Sequence, residues 1–151
     1  MTSSNRRSLF AIPALLLAAL PSLLSCQNNC GNLVPTLVNV GLQEFTVTPA
    51  TDSAPAGCVT FLVANAGTVS HEFLVIRTDL APNALPTNSD GSYQENGPGT
   101  ELIDEIAEIS PAGTAELTLL LESGDYVLIC NMVIGNEAHY SLGMRAAFTV
   151  N

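Results

Sequence analysis

A chain of 151 residues is long enough for one domain with one hydrophobic core. Its formal charge of −10 is unevenly placed: Arg6 and Arg7 precede Cys26 and all 14 acidic residues follow it, so the body sets Arg77 and Arg145 against 14 carboxylates, a net −12. Such a surface excludes nucleic acid and anionic lipid headgroups as partners, since phosphate binding needs Lys and Arg, and makes a basic docking face on another protein its natural complement.

The leader comes first in the chain. After Arg6-Arg7, "LFAIPALLLAALPSLL" is an uncharged apolar run interrupted by Pro13 and Pro21 and ending at Ser25-Cys26. It is too short and too proline-broken for a membrane span and reads as an export signal over residues 1–25. Its end, "LLSC", resembles the lipobox of bacterial lipoproteins, which implies lipid attachment at Cys26; plain secretion with cleavage nearby is the alternative. "NRRSLF" resembles a weak twin-arginine export motif, although two arginines also satisfy any basic leader. Export changes the cysteine count. With Cys26 lipidated, Cys30, Cys58 and Cys130 remain, an odd number for an oxidising compartment. One arrangement that resolves this pairs Cys30 with Cys58 and leaves Cys130 alone, where a lone thiol tends to be oxidised or bound. Sequence does not fix the pair.

Residues 26–42 read as a tether or a loosely packed first strand, and 43–151 as the folded domain. Strands are predicted at Gln43–Thr48, Cys58–Asn65 and His71–Thr78 from alternating or continuous apolar runs bounded by turn residues. Ala81–Thr100 is crowded with Pro, Gly, Asn and Ser and is predicted to be an exposed loop. Glu101–Ser110 fits either a short helix or a strand. Strands at Ala115–Glu122, Asp125–Cys130 and Arg145–Val150 complete an all-β Greek-key sandwich.

The chemistry must come from residues, because a fold names no function. No GxSxG elbow and no phosphate-cradling glycine loop is present, and two histidines give a serine triad little to work with. Metal binding is better served. His71 opens one predicted strand, Cys130 closes another, His139 follows nine residues later, and Met144 precedes the last strand. A thiolate and two imidazoles with a weak axial thioether form the blue-copper donor set. A binuclear site would need a second loop cysteine, and a multicopper oxidase would need histidine clusters. The donor set therefore fits one copper relaying single electrons, with no substrate of its own.

"GDYVLICN…HYSLGMRAAFTV" resembles the C-terminal signature of the cupredoxins, and "FLVANAGTVSHEFLVI" resembles the region around that family's first histidine ligand. The resemblance covers most of Gln43–Val150. It implies a cupredoxin-like β-sandwich or barrel, copper ligands His71, Cys130, His139 and Met144, and supporting hydrogen bonds near Asn65 and Glu72. It further implies a monomeric carrier working between redox proteins outside the cytoplasm, held at a membrane if Cys26 is lipidated. One departure stands out: "NMVIGNEA" between Cys130 and His139 is longer than the family interval, and brings Met132 as a rival thioether. That loop is either added surface over an intact site or an opening to the metal. A copper chaperone or store on the same fold, and a metal-free sandwich used for interaction, are the competing readings.

Overall fold

The computed structural model describes residues 30–151; the expected leader at 1–25 and lipid attachment at Cys26 lie outside the described residues. Eleven strands and one short helix follow in order: β1 (Thr36–Gln43), β2 (Thr46–Pro49), β3 (Ser53–Ala54), β4 (Gly57–Asn65), β5 (His71–Arg77), β6 (Glu101–Ile109), β7 (Thr114–Leu121), β8 (Gly124–Ile129), β9 (Val133–Ile134), β10 (Glu137–Ala138), α1 (His139–Leu142) and β11 (Arg145–Val150). They form a four-stranded sheet in the order β2-β1-β4-β7, a five-stranded sheet in the order β3-β11-β8-β5-β6, and a separate β9-β10 hairpin. Among the described residues no helix is long and apolar enough to cross a membrane.

The two sheets face each other across one core, which gives the Greek-key β-sandwich read from the sequence. β1 and β7 alternate buried and exposed residues along their length, the pattern of strands with one solvated face. Their inward side chains, among them Val38, Val40, Leu42, Leu119 and Leu121, meet Phe73, Val75, Leu128 and Phe148 of the opposite sheet. β5 and β8 carry continuous apolar runs instead, and both of their faces are covered. Their second face, Leu74, Ile76, Val127 and Ile129, packs against Leu85, Tyr93 and Tyr140.

Two expectations are revised here and two open ones are resolved. Gln43–Thr48 is not one strand: Gln43 pairs with Thr46 across a tight turn at Glu44-Phe45, whose peptide is cis, so the segment is the corner of the β1-β2 hairpin. Residues 26–42, open between a tether and a first strand, supply β1 from Thr36 onward, which lies between β2 and β4 and pairs with β4 from Thr36↔Val59 to Leu42↔Asn65. Ala81–Thr100 is mostly exposed but not a bare loop, because Leu85 and fully buried Tyr93 seal the outer face of the five-stranded sheet. Glu101–Ile109, open between helix and strand, is the edge strand β6. Glu101, Asp104, Glu105 and Glu108 sit along it, and charge on an edge strand discourages further strand pairing. Cys30 and Cys58 are joined by a disulfide with Cα atoms 5.5 Å apart, tying the start of the described chain to β4.

Candidate metal centre

Four sequence-predicted residues gather at one end of the sandwich. His71 is the first residue of β5, Cys130 follows the last residue of β8, His139 opens α1, and Met144 directly precedes β11. Because β5, β8 and β11 are neighbours in one sheet, strand pairing alone brings three of these positions together. All four side chains are 0–1% exposed.

The donors of three of them converge. His71 Nδ1 and His139 Nδ1 are 3.2 Å apart, and Cys130 Sγ lies 3.3 Å from His139 Nδ1 and 3.7 Å from His71 Nδ1. The circle through these atoms has a radius of about 2.0 Å, close to the ~2.0–2.3 Å of metal–imidazole and metal–thiolate bonds. Two ring nitrogens and a sulfur turned inward on one another can offer a cation three donor atoms; with no cation, a proton on one Nδ1 can bridge the two rings. Cys130 is the one free cysteine among the described residues, and it is buried.

Electrostatics prepare the same site. Burial lowers the pKa of both histidines, opposed at His71 by the Glu44 carboxylate and reinforced at His139 by His71. Both rings are thus held neutral, with lone pairs to give. Burial pushes the Cys130 thiol up to about 11, against backbone N–H groups that favour the thiolate; one is the Glu72 N–H, 3.4 Å from Sγ. A bound cation is what would ionise this thiol.

Met144 is pinned through its backbone: its N–H donates to His139 C=O at 3.0 Å, and its C=O accepts from Cys130 N–H at 3.1 Å. Its side chain packs in the same core cluster as Cys130, while Met132 is only partly buried at that cluster's margin. The long interval between Cys130 and His139 resolves into local structure. Ile134 pairs with Glu137 and Val133 with Ala138, Gly135 takes the positive φ of 64° that the turn requires, and His139 N–H closes on Met132 C=O at 2.9 Å. The extra residues pinch off as a small hairpin, so Cys130 and His139 meet as though the interval were short.

Asn65 and Glu72 support the site in different ways. Asn65 Nδ2 donates to the carbonyls of Val69 and Ile109, and its Oδ1 accepts from Gly67 N–H, all at 2.8 Å. It therefore clamps the segment that delivers His71. Asn65→Ala strands these buried partners and is expected to cost roughly 2–3 kcal/mol, measured by urea unfolding of the metal-free protein. Glu72 acts through its backbone at Cys130, and β5 shifts register against β6 between His71 and Phe73, a bulge of the kind that re-aims a side chain.

Several contributors escape sequence reasoning. Glu44 Oε1 accepts from Thr68 N–H at 2.8 Å and Val69 N–H at 2.9 Å and stands 3.3 Å from His71 Nε2. Phe45 meets the His139 ring edge-on with centroids 5.4 Å apart. Asn131, next to Cys130, holds Tyr93 through both its N–H and its C=O, and Tyr140, next to His139, donates to Pro82 C=O while accepting from Leu85 N–H. The 81–100 segment thus fastens the residues beside two donors. An isolated Glu-Phe in an alternating stretch carries no turn signal, and single apolar residues in a polar loop carry no burial signal.

No family model and no curated protein matches the chain; solved structures do. Auracyanin A, a "blue" copper protein from the green thermophilic photosynthetic bacterium Chloroflexus aurantiacus, is 24% identical over 78% of this chain and 100% of its own, with a TM-score of 0.54. Dithionite-reduced auracyanin from Roseiflexus castenholzii is 21% identical over 77% of this chain and 97% of its own, with a TM-score of 0.55. Reduced rusticyanin is 16% identical over 78% of this chain and 79% of its own, with a TM-score of 0.53.

Proposed function

We propose that this chain, whose fold is that of the cupredoxins, is a mononuclear blue-copper electron carrier, with His71, Cys130 and His139 as strong ligands and Met144 as a weak axial one. The observation that carries the reading is the convergence of two imidazole nitrogens and one buried thiol into a single group, a donor set that suits copper in both oxidation states. Bound copper supplies a one-electron couple. The chain supplies a cage that changes little as the electron comes and goes, because each ligand is buried and tied by strand pairing or backbone hydrogen bonds. Four buried ligands leave no open position for a substrate, which favours relay over catalysis. They also favour retention over hand-off, against a chaperone.

Titration of the purified protein with Cu(II) is expected to give an intense blue band that saturates at one copper per chain and bleaches reversibly on reduction. Full copper occupancy without colour would overturn the reading. Reversible voltammetry compared with transfer of Cu(I) to a chelating acceptor separates the carrier from its rival: rapid copper loss with sluggish cycling would mean copper handling.

The leader and the Cys30–Cys58 pair support a place outside the cytoplasm; Cys26 as lipid anchor and a monomeric domain complete the proposal. The −12 body supports redox partners with a basic docking face. Electron-transfer rates with a basic partner should then fall as ionic strength rises, read by stopped-flow at several salt concentrations; a flat profile would remove the basic face from the proposal.

A further inference from the structure

The β1-β2 turn places a carboxylate beside a buried ring nitrogen of the candidate metal centre. His71 Nε2 is fully buried and makes no hydrogen bond of good alignment among the described residues, while Glu44 Oε1 lies 3.3 Å away. That oxygen is not free to wander, since it already accepts from the backbone N–H groups of Thr68 and Val69. Space for it is reserved by Gly67. A Cβ there would stand 2.5 Å and 2.8 Å from the two Glu44 oxygens and 2.8 Å from His71 Nε2, distances that side chains do not sustain. The three groups form one close-packed unit.

We infer that Glu44 is a positioning residue for the metal site: its carboxylate holds the Nε2–H of His71, fixes the tautomer that leaves Nδ1 free for the ion, and biases the bound copper toward Cu(II). This rests on the copper reading above. An ionised carboxylate accepts and does not donate, so the ring nitrogen facing it must carry the proton, and the nitrogen facing Cys130 and His139 is the one with the lone pair. A negative charge behind the ligand raises its basicity and favours the more highly charged metal state, as carboxylate–histidine–metal arrangements do elsewhere. Glu44 is 22% exposed, so water screens part of this charge and the bias is moderate.

Three variants test it: Glu44→Gln, which keeps shape and removes charge and alone decides the inference; Gly67→Ala, which keeps the charge but crowds both the carboxylate and the His71 ring; and Glu116→Gln, which removes an exposed charge on β7 as a control. In metal-free wild type the His71 Nε2–H should give a slowly exchanging imidazole proton resonance. It should move upfield in Glu44→Gln, broaden into solvent exchange in Gly67→Ala, and stay in place in Glu116→Gln. In the copper form, both site variants should lose about tenfold in preference for Cu(II) over Cu(I), which is about 59 mV upward in midpoint potential for a one-electron couple. An unchanged resonance and potential in Glu44→Gln would overturn the inference, as would an equal potential shift in the control. Wild type that binds no copper would overturn the copper reading and the bias with it, while the Nε2–H resonance would still decide whether Glu44 holds His71.

Discussion

Cys130→Ser is expected to fold, to lose the blue band completely, and to bind copper more than ~100-fold more weakly, beyond the range of changes made outside the ligand shell. The colour of such a site belongs to charge transfer from a thiolate, and a hydroxyl cannot replace it: serine oxygen is hard, un-ionised at neutral pH, and held by a shorter side chain. His71 and His139 remain in place because strand β5 and the backbone ties of α1 position them independently of the sulfur, so residual binding should be that of two imidazoles, pale and easily stripped by a chelator. The fold should survive because Cys130 contributes a single atom beyond Cβ to a core built from both sheets; burying the hydroxyl costs on the order of 1–2 kcal/mol. Visible spectra, equilibrium dialysis and thermal unfolding with and without copper measure the three parts separately. A blue band that persists would remove Cys130 from the ligand set.

Much of this site is legible in the sequence because its residues are scarce. With only two histidines, and a cysteine at the end of a predicted strand, the flanks of three apolar runs were enough to place the candidate donors at one end of a sheet. The sandwich itself was legible for the same reason that β1 and β7 are half-buried: period-two alternation records a sheet with one wet face. The hidden parts are those where local signals mislead. Gln43–Thr48 alternates as a strand should, yet the chain reverses at Glu44-Phe45 with no Gly, Pro or Asn to mark it, and that unmarked corner is what sets a carboxylate on His71 and an aromatic edge on His139. The continuous runs of β5 and β8 do announce that both faces are covered, but what covers them, Leu85 and Tyr93 from a Pro- and Gly-rich segment, depends on tertiary contacts. The interval "NMVIGNEA" raised the question of an exposed metal; an Ile134–Glu137 pairing around Gly135 keeps His139 1% exposed.

The fold and the site should also be separable by energy. Phe61 on β4 is fully buried, and its ring meets Phe73 and Phe148 of the opposite sheet, each with centroids 5.4 Å apart. It therefore joins the two sheets and is not itself a proposed ligand, although it shares a core cluster with Cys130 and Met144. Phe61→Ala removes a ring from a close-packed core and is expected to cost about 3–5 kcal/mol, a large share of the ~5–15 kcal/mol that holds a domain folded, with the midpoint of thermal unfolding falling on the order of 10–20 °C. Copper should offset most of this. A ligand that binds only the folded state stabilises it by about 4 kcal/mol at a thousand times its Kd, so the metal-free variant should be marginal and the loaded one close to metal-free wild type. The blue band should keep its position and its stoichiometry of one, because the donors are placed by β5, β8 and α1. Unfolding followed with and without copper, in this variant and in Cys130→Ser, makes the contrast: the first is rescued by the metal and the second is not. A shifted or weakened band in Phe61→Ala would mean that the cavity is transmitted along β5 from Phe73 to His71, two residues away, and that core packing sets the geometry of the site.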